Sequence, residues 1–328
     1  MIIHRHFFQA MASRCEIRLA AADESAARVL AQCAMNEVRR IEVKYSRYQP
    51  GSVVSRINAQ AGQEWVTCDF ETLALLDFAN TLFDTSGGLF DITSGVLRRA
   101  WNFRQARVPT PDLLQELCEL VDWRSVQREG QCVRLPREGM EIDFGGFGKE
   151  YAADCAADVL LGQGVRHGYV NLAGDIRVLG PQPQGQPWTI GIQHPRDSNS
   201  LIASIAVSSG AIATSGDYER FFELAGQRYC HILHPRSGSP VGHWRSVSVQ
   251  AASALQAGSL ATVAMLKQAQ ALKFLAQENV SYLAVDQQGG MHYKEAIDTK
   301  DVIADPGSWS GAGPIRNPVK SEDMDAGS

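Results

Sequence analysis

The pattern of apolar and polar positions predicts helices and strands interspersed along the whole chain. Residues 5–20 alternate as in one or two strands, and helical spacing runs from Asp23, a suitable N-cap, to Tyr45. Further helical segments are predicted at 53–58, 69–84, 95–103, 110–121, 258–268 and 271–277. Further strands are predicted at 65–68, 188–192, 202–207, 219–224, 228–233, 246–251, 282–285 and 291–294. Because these elements show no strict β-α-β alternation, the pattern favours an α+β fold.

The central stretch from Glu141 to Gly180 predicts a strand, a glycine turn, a helix and a hairpin. The first strand is predicted at 142–144, and glycines at 145, 146 and 148 lead into the helix. A glycine turn before a helix leaves backbone N–H groups that suit a phosphate. Lys149 in the first turn is unfavourable for the helix dipole, which a bound anion would compensate. The spacing fits neither dinucleotide-binding nor P-loop motifs, so a simple packing unit is the alternative.

Composition and charge exclude several classes of protein. The chain has 328 residues, 45% of them hydrophobic, with a net charge of −5 and no basic block, so we expect no nucleic-acid partner. Seven cysteines without regular spacing indicate a reducing compartment. Without a long apolar run or a signal-peptide pattern, we expect no membrane insertion and a cytoplasmic protein. Residues 306–328 are rich in Pro, Gly and Ser, which predicts a mobile tail after one domain at 1–305.

Three later stretches combine residue types that could carry chemistry. Ala213–Tyr218 is small and polar, and turn formation is the alternative interpretation. The segment 231–240 holds two histidines and an arginine, and histidine is the usual general base near neutral pH. Small residues at 257–262 are predicted to open a helix.

Together with the central stretch, these segments resemble FAD:protein FMN transferases, the ApbE-type flavin transferases. The resemblance runs from about Met11 to Tyr293 and rests on motifs in the family's order and spacing. They are Ser46-Arg-Tyr48 with Ser52 and Asn58, Gly88-Leu-Phe90-Asp91, Asp143-Phe-Gly-Gly-Phe-Gly-Lys149, Asn171-Leu-Ala-Gly-Asp175, Ala213-Thr-Ser-Gly-Asp217-Tyr218, His231-x-x-x-Pro235-x-Ser237-Gly238 and Ala261-Thr262.

The resemblance implies a single mixed α+β domain, with antiparallel-rich sheets flanked by helices around a central FAD-binding cleft. Such enzymes use magnesium, cleave FAD and attach FMN to a threonine or serine of an acceptor flavoprotein, releasing AMP. The residues expected to contact FAD are Met11, Tyr48, Leu89, Phe90, Asp91, Asp143, Lys149 and Ile232. The Gly146 carbonyl and Thr262 are expected to bind magnesium, and His231 is expected to accept the proton of the acceptor hydroxyl.

The chain departs from the family pattern at one metal ligand. The family usually has an aspartate where this chain has Ala257-Gly258-Ser259, and glycine cannot replace its carboxylate. We therefore expect weaker magnesium binding unless Asp217 or Asp175 supplies a ligand, and we expect that Gly258→Asp would restore one. His234 also replaces a common aspartate, and Ala173 a glycine. The alternatives are a non-catalytic FAD carrier or chaperone and a pyrophosphatase that converts FAD to FMN and AMP.

Overall fold

The computed structural model describes residues 1–294, so the predicted tail at 306–328 lies outside the described residues. The strands are β1 Ile2–Ala10, β2 Ser13–Ala21, β3 Val66–Thr67, β4 Gln127–Glu129, β5 Cys132–Arg134, β6 Gly168–Leu172, β7 Asp175–Gly180, β8 Trp188–His194, β9 Asp197–Val207, β10 Gly210–Gly216, β11 Phe221–Leu224, β12 Gln227–Cys230, β13 Trp244–Ala251, β14 Ser281–Asp286 and β15 Met291–Lys294. The α-helices are α1 Glu24–Tyr45, α2 Val53–Ala59, α3 Phe70–Ser86, α4 Pro111–Cys118, α5 Gly148–Gly162, α6 Ala254–Lys267 and α7 Ala271–Gln277. Short 3₁₀ helices cover Ile92–Arg99, Trp123–Ser125 and Gln268–Gln270.

An antiparallel sheet of eight strands, in the order β1-β2-β6-β7-β10-β13-β14-β15, organises the described structure. Helices α1, α5 and α6 cover one face, and the β8–β9 hairpin packs on the other. Successive side chains of a strand point to opposite faces of the sheet. Val170 and Leu172 of β6 therefore pack in the core beneath the helices, whereas Tyr169 packs in the core beneath the hairpin. The predicted α+β class is confirmed.

Helix α1 follows the predicted pattern. The Asp23 carboxylate accepts a hydrogen bond from the Ala26 N–H at 2.9 Å, which satisfies a donor that the first helical turn leaves free. Ala27, Ala31, Val38 and Ile41 are buried at helical spacing and pack toward α5 and the sheet. The cap and the spacing therefore agree with the observed helix.

The predicted strand at 142–144 is wrong, because this segment is irregular. Its backbone groups are satisfied by a distant side chain instead of a neighbouring strand. The Asn58 amide donates to the Ile142 carbonyl at 2.9 Å, and the Ile142 N–H donates to Asn58 Oδ1 at 2.7 Å. The Asp143 N–H donates to the Ile92 carbonyl at 2.9 Å. An apolar run can thus be buried without a strand partner.

Other boundaries also differ from the sequence patterns. Most of the polar stretch 213–218 lies in β10, between β7 and β13, where cross-strand pairing overrides the turn propensity of its residues. The predicted helix at 95–103 is a 3₁₀ helix that begins at Ile92. Helix α6 begins at Ala254, with Ser253 as its N-cap, so Gly258 lies in the second turn and not at the helix start. Within residues 1–294, no helix is long and apolar enough to cross a membrane.

Candidate active site

A cleft of about 570 Å³ lies where the start of α5 meets β10, α6 and the loop after β12. It is lined by nearly all of the predicted site residues, namely Tyr48, Leu89, Phe90, Asp91, Asp143, Gly146, Lys149, His231, Ile232 and Thr262. Met11 is outside this lining. It lies in the turn between β1 and β2, where its N–H donates to Glu42 Oε1 at 2.7 Å.

The glycine turn before α5 packs closely against the loop after α3. A Cβ atom at Gly146 would lie 2.9 Å from the Phe90 ring, so only glycine fits there without displacement of the ring. The Phe90 N–H donates to Ser86 Oγ at 2.8 Å and the Leu89 N–H donates to the same atom at 3.1 Å. These bonds hold the loop in place. Phe147 provides no side-chain cap for α5, whose first turn lines the cleft.

Lys149 forms an ion pair with Asp175 in the wall of the cleft. Its Nζ lies 2.8 Å from Asp175 Oδ2, and the Asp175 side chain is only 4% exposed. Burial acts against the charged amine, but the attraction of Asp175 outweighs it, so the pKa of Lys149 is raised above its ordinary value. Lys149 therefore carries a fixed positive charge into the cleft.

A second buried carboxylate, Glu150, lies beside this pair. Its residue exposure is 6%, and within residues 1–294 its Oε2 atom has no hydrogen-bond partner. Burial and the Asp175 carboxylate raise the pKa of Glu150 to about 8. Gly258 of α6 lies directly against the Glu150 side chain. A Cβ atom added at Gly258 would lie 2.5 Å from Glu150 Cγ. Glu150 thus fills the space that a side chain at position 258 would need.

His231 follows β12 and lines the cleft with a neutral imidazole. Burial and the Arg220 guanidinium lower the pKa of His231 to about 4. Among the described residues its Nδ1 atom is buried and has no hydrogen-bond partner, while its backbone N–H donates to the Arg220 carbonyl at 2.9 Å. A neutral imidazole with an unoccupied nitrogen is able to accept a proton.

We predict that His231 makes the protein less stable under mild acid. Its pKa is about 4 in the folded chain and about 6.5 when unfolded, so the unfolded state binds the extra proton between these values. Stability attributable to His231 is therefore lost as pH falls. The free energy of unfolding should drop by about 2 kcal/mol between pH 7 and pH 5 through this residue. Urea unfolding of wild type and His231→Gln across that range measures it, and parallel curves would contradict the prediction.

Several arginines bring positive charge to the cleft, and most of them are paired. Arg47 forms an ion pair with Asp143 and donates to the Tyr48 hydroxyl at 2.7 Å. Arg98 and Arg99 pair with Glu141. Arg220 differs, because in the described part of the chain its exposed guanidinium has no ion-pair or hydrogen-bond partner. It is therefore available to an anionic ligand.

Asp91 lines the cleft, but its carboxylate is engaged inside the protein. Oδ1 accepts hydrogen bonds from the Thr93 N–H at 2.8 Å and the Thr93 hydroxyl at 2.6 Å, and Oδ2 accepts one from the Trp123 N–H at 3.2 Å. These bonds join two loops beneath the cleft. The geometry therefore favours a role in positioning the wall.

Comparison with known proteins identifies the family. A sequence profile described as the ApbE family matches residues 11–284. The chain belongs to the ApbE family. The FAD:protein FMN transferase of Treponema pallidum is 34% identical over 67% of this chain and 66% of its own length. The enzyme of the same name from Vibrio cholerae is 32% identical over 70% of each chain.

Solved structures of ApbE proteins share the fold. The ApbE protein of Thermotoga maritima superposes with a TM-score of 0.83 and 30% identity, covering 90% of this chain and 97% of that protein. The apo form of the flavinyl transferase ApbE from Pseudomonas stutzeri gives a TM-score of 0.80 at 26% identity, covering 90% and 96%. The ApbE fold therefore extends over most of the described residues.

Sequence reasoning missed three cleft residues, Glu150, Arg220 and Arg47, although each lies within two residues of a recognised motif. Their roles depend on which distant segments the fold brings together at the cleft, so their positions in the motifs alone could not reveal them. Of the two carboxylates considered as substitutes for the missing aspartate, Asp175 lines the cleft but is paired with Lys149. Asp217 is not among the lining residues and forms a two-point ion pair with Arg196, at 2.6 and 2.7 Å.

Proposed function

We propose that this chain is a flavin transferase that moves FMN from FAD to a threonine or serine hydroxyl of an acceptor flavoprotein and releases AMP. The observation that carries the proposal is the cleft itself, where the cations Lys149 and Arg220 lie beside His231, a neutral base. Cleavage of a pyrophosphate requires cations that offset its negative charge, and a hydroxyl nucleophile requires a base that accepts its proton. The curated relatives named FAD:protein FMN transferase support the same activity.

The cleft offers FAD both apolar and charged surfaces. Tyr48 is exposed at 73% and can stack on an aromatic ring system, while Leu89, Phe90 and Ile232 provide apolar walls. Lys149 and Arg220 hold the phosphates through charge-assisted hydrogen bonds. Asp143 orients Arg47 and the glycine turn, accepting the Gly145 N–H at 2.9 Å. Met11, which lies outside the lining, would contact a part of FAD that extends beyond this cleft.

We propose magnesium as the metal, with the Gly146 carbonyl and the Thr262 hydroxyl among its ligands. The oxygen-rich set in this wall fits a hard cation, and the partnerless Glu150 Oε2 leaves a buried acceptor for it. Within residues 1–294, no group of three or more His, Cys, Asp and Glu side chains is placed to hold a metal ion. When bound, magnesium would neutralise charge that develops on the phosphate oxygens.

His231 receives the proton as the acceptor hydroxyl attacks. The hydroxyl oxygen forms a bond to the phosphorus of the FMN half, and the bond between that phosphorus and the bridging oxygen breaks. AMP leaves with the bridging oxygen and its electron pair. The proton of the hydroxyl passes to the imidazole, whose Nδ1 has no competing partner among the described residues. Lys149 and Arg220 offset the charge that develops on the leaving phosphate.

Incubation with FAD, magnesium and a threonine-bearing acceptor protein tests the proposal. Covalent flavin fluorescence on the denatured acceptor supports transfer. AMP release without labelling would indicate the pyrophosphatase instead, and intact bound FAD without AMP would indicate the carrier. We further propose a cytoplasmic site of action, because all seven cysteines are free thiols, as is usual in a reducing compartment.

FAD should bind more tightly than riboflavin, because only FAD carries the pyrophosphate that Lys149 and Arg220 hold. The Arg220 guanidinium has no partner among the described residues, so Arg220→Ala removes only its contact with FAD. FAD affinity should fall by about tenfold, as expected for one charged hydrogen bond. Riboflavin affinity should stay unchanged. Quenching of flavin fluorescence measures both constants.

Arg39→Ala is the matched control for Arg220→Ala, because Arg39 is exposed on α1 and does not line the cleft. It should bind both flavins like the wild type. Equal affinity of the wild type for FAD and riboflavin would remove the basis for a pyrophosphate site between these cations.

A further inference from the structure

Helices α5 and α6 approach each other closely in the cleft wall. Glu150 and Gly258 meet there so closely that a Cβ at 258 would lie 2.6 Å from Glu150 Oε1. A side chain from α6 is therefore impossible at this point unless Glu150 moves. The carboxylate in this space comes from α5.

Negative charge predominates around Glu150. Asp175 is a second buried carboxylate nearby. Lys149 pairs with Asp175 at 2.8 Å and also attracts the Glu150 carboxylate. Two buried carboxylates therefore share one positive charge. An isolated buried charge costs several kcal/mol in proteins, and Glu150 Oε2 has no hydrogen-bond partner within residues 1–294. A divalent cation would offset this unfavourable charge.

Hydroxyl groups of α6 and β10 add oxygen atoms to the same cleft. Gly258 and Thr262 are four residues apart in α6, a spacing that places both on one face of the helix. Thr262 Oγ1 lies 3.4 Å from Ser215 Oγ of β10, and both residues line the cleft with Glu150. Glu150 packs against Gly258, so it lies on the same face of α6 as Thr262.

We propose that Glu150 is the carboxylate ligand of the divalent cation in this chain, taking over from α5 the position that a side chain at 258 would otherwise occupy. The inference deepens the proposed function and rests on it for the identity of the cation. It also explains how glycine at 258 is compatible with a metal site. A bound Mg²⁺ or Mn²⁺ would be the partner that Glu150 Oε2 lacks among the described residues.

A purely structural role for Glu150 is the competing explanation. A glutamate in the first turn of a helix stabilises it through the helix dipole, and Glu150 lies in the first turn of α5. That role requires no metal, and it would leave cation affinity unchanged when the charge is removed. Metal binding and protein stability therefore have to be measured separately.

The test titrates Mn²⁺, followed by the electron paramagnetic resonance signal of the free ion, into the full chain without FAD and then with saturating FAD. Glu150→Gln keeps the side-chain shape and removes the charge. It should raise the Mn²⁺ dissociation constant by at least about tenfold, since even changes outside the ligand shell commonly cost that much. Asp158→Asn is the matched control, because Asp158 is exposed on the same helix and outside the cleft. It should bind Mn²⁺ within about twofold of wild type, since screening weakens exposed charges.

A second variant moves the carboxylate back to α6. Glu150→Ala combined with Gly258→Asp removes the side chain that blocks position 258, so the aspartate has room. The pair should recover most of the Mn²⁺ affinity that Glu150→Ala alone loses. Gly258→Asp by itself should not raise the affinity, because Glu150 already fills the space. The sequence alone predicted that the single substitution restores a ligand, and the close approach of Glu150 to position 258 argues against that prediction.

The outcomes separate this inference from the proposed function. Wild-type Mn²⁺ affinity in a folded Glu150→Gln variant would overturn the inference, and so would a wild type that binds no Mn²⁺ even with FAD. Metal-dependent transfer would then remain to be explained by other ligands. Loss of Mn²⁺ binding in Glu150→Gln, together with a wild type that never labels an acceptor, would support the inference and overturn the transferase. Circular dichroism of each variant checks that it is folded. If the double variant does not fold, the comparison of Glu150→Gln with Asp158→Asn decides the inference.

Discussion

Replacing His231 with alanine is expected to lower the rate of acceptor flavinylation by about 10²–10⁴, the usual contribution of a positioned general base. FAD affinity should change little, because the imidazole is assigned to the acceptor hydroxyl and not to the nucleotide. Labelling of an acceptor protein under single-turnover conditions measures the rate, and flavin fluorescence quenching measures the affinity. The variant thus separates catalysis from binding.

The electrostatics of the cleft explain how a histidine with a low pKa can serve as this base. Burial, Arg220 and Lys149 all disfavour the imidazolium in the FAD-free chain, and the pKa of His231 is about 4. The phosphates of FAD are negative and would offset these two cations. The pKa of His231 should therefore rise when FAD is bound, which makes it a stronger base at the stage when it is needed.

His234→Ala is the matched control, since His234 lies in the same loop but does not line the cleft. Its Nδ1 accepts the Arg236 N–H at 3.3 Å, a bond that belongs to the loop itself. This variant should label the acceptor at close to the wild-type rate. If His231→Ala did so as well, His231 would be a structural residue and the base would have to be found elsewhere in the cleft.

Local signals were sufficient to predict much of the fold. The Asp23 cap predicts the start of α1, and two apolar segments on either side of Gly289-Gly290 predict the β14–β15 hairpin. The failures occurred where distant groups decide the structure. Asn58 satisfies the backbone at Ile142, and β10 forms because β7 and β13 lie on either side of it. Neither effect leaves a pattern in the segment concerned.

In the candidate site, too, local motifs predicted some features, and distant contacts determined the others. Short motifs indicated Lys149, His231 and Thr262, and the structure brings them to one cleft. The motifs could not indicate that Glu150 faces Gly258, because the two residues are far apart in the chain and meet only when α5 packs on α6. The pairing of Lys149 with Asp175 was likewise hidden, and it changes what a substitution at Lys149 should do.

Lys149→Ala is expected to weaken both FAD binding and the fold. Lys149 is expected to hold the pyrophosphate, and its Nζ also lies 2.8 Å from the buried Asp175. Removing one partner of a buried ion pair typically costs about 3–5 kcal/mol, because the other charge is left uncompensated. Since the Lys149 side chain is 33% exposed, water screens part of that interaction, and a loss on the order of 2–3 kcal/mol in the free energy of unfolding is expected.

A second substitution separates the two effects of Lys149. In Lys149→Ala combined with Asp175→Asn, the buried charge is gone, so stability in urea unfolding without added metal should recover in part. FAD affinity should not recover, since the cation that holds the pyrophosphate is still missing, and a loss of about 10–100-fold is expected from one charged hydrogen bond. Lys273→Ala is the control, because Lys273 is exposed and outside the cleft. A double variant that regained FAD affinity along with stability would show that Lys149 acts on FAD only through the fold.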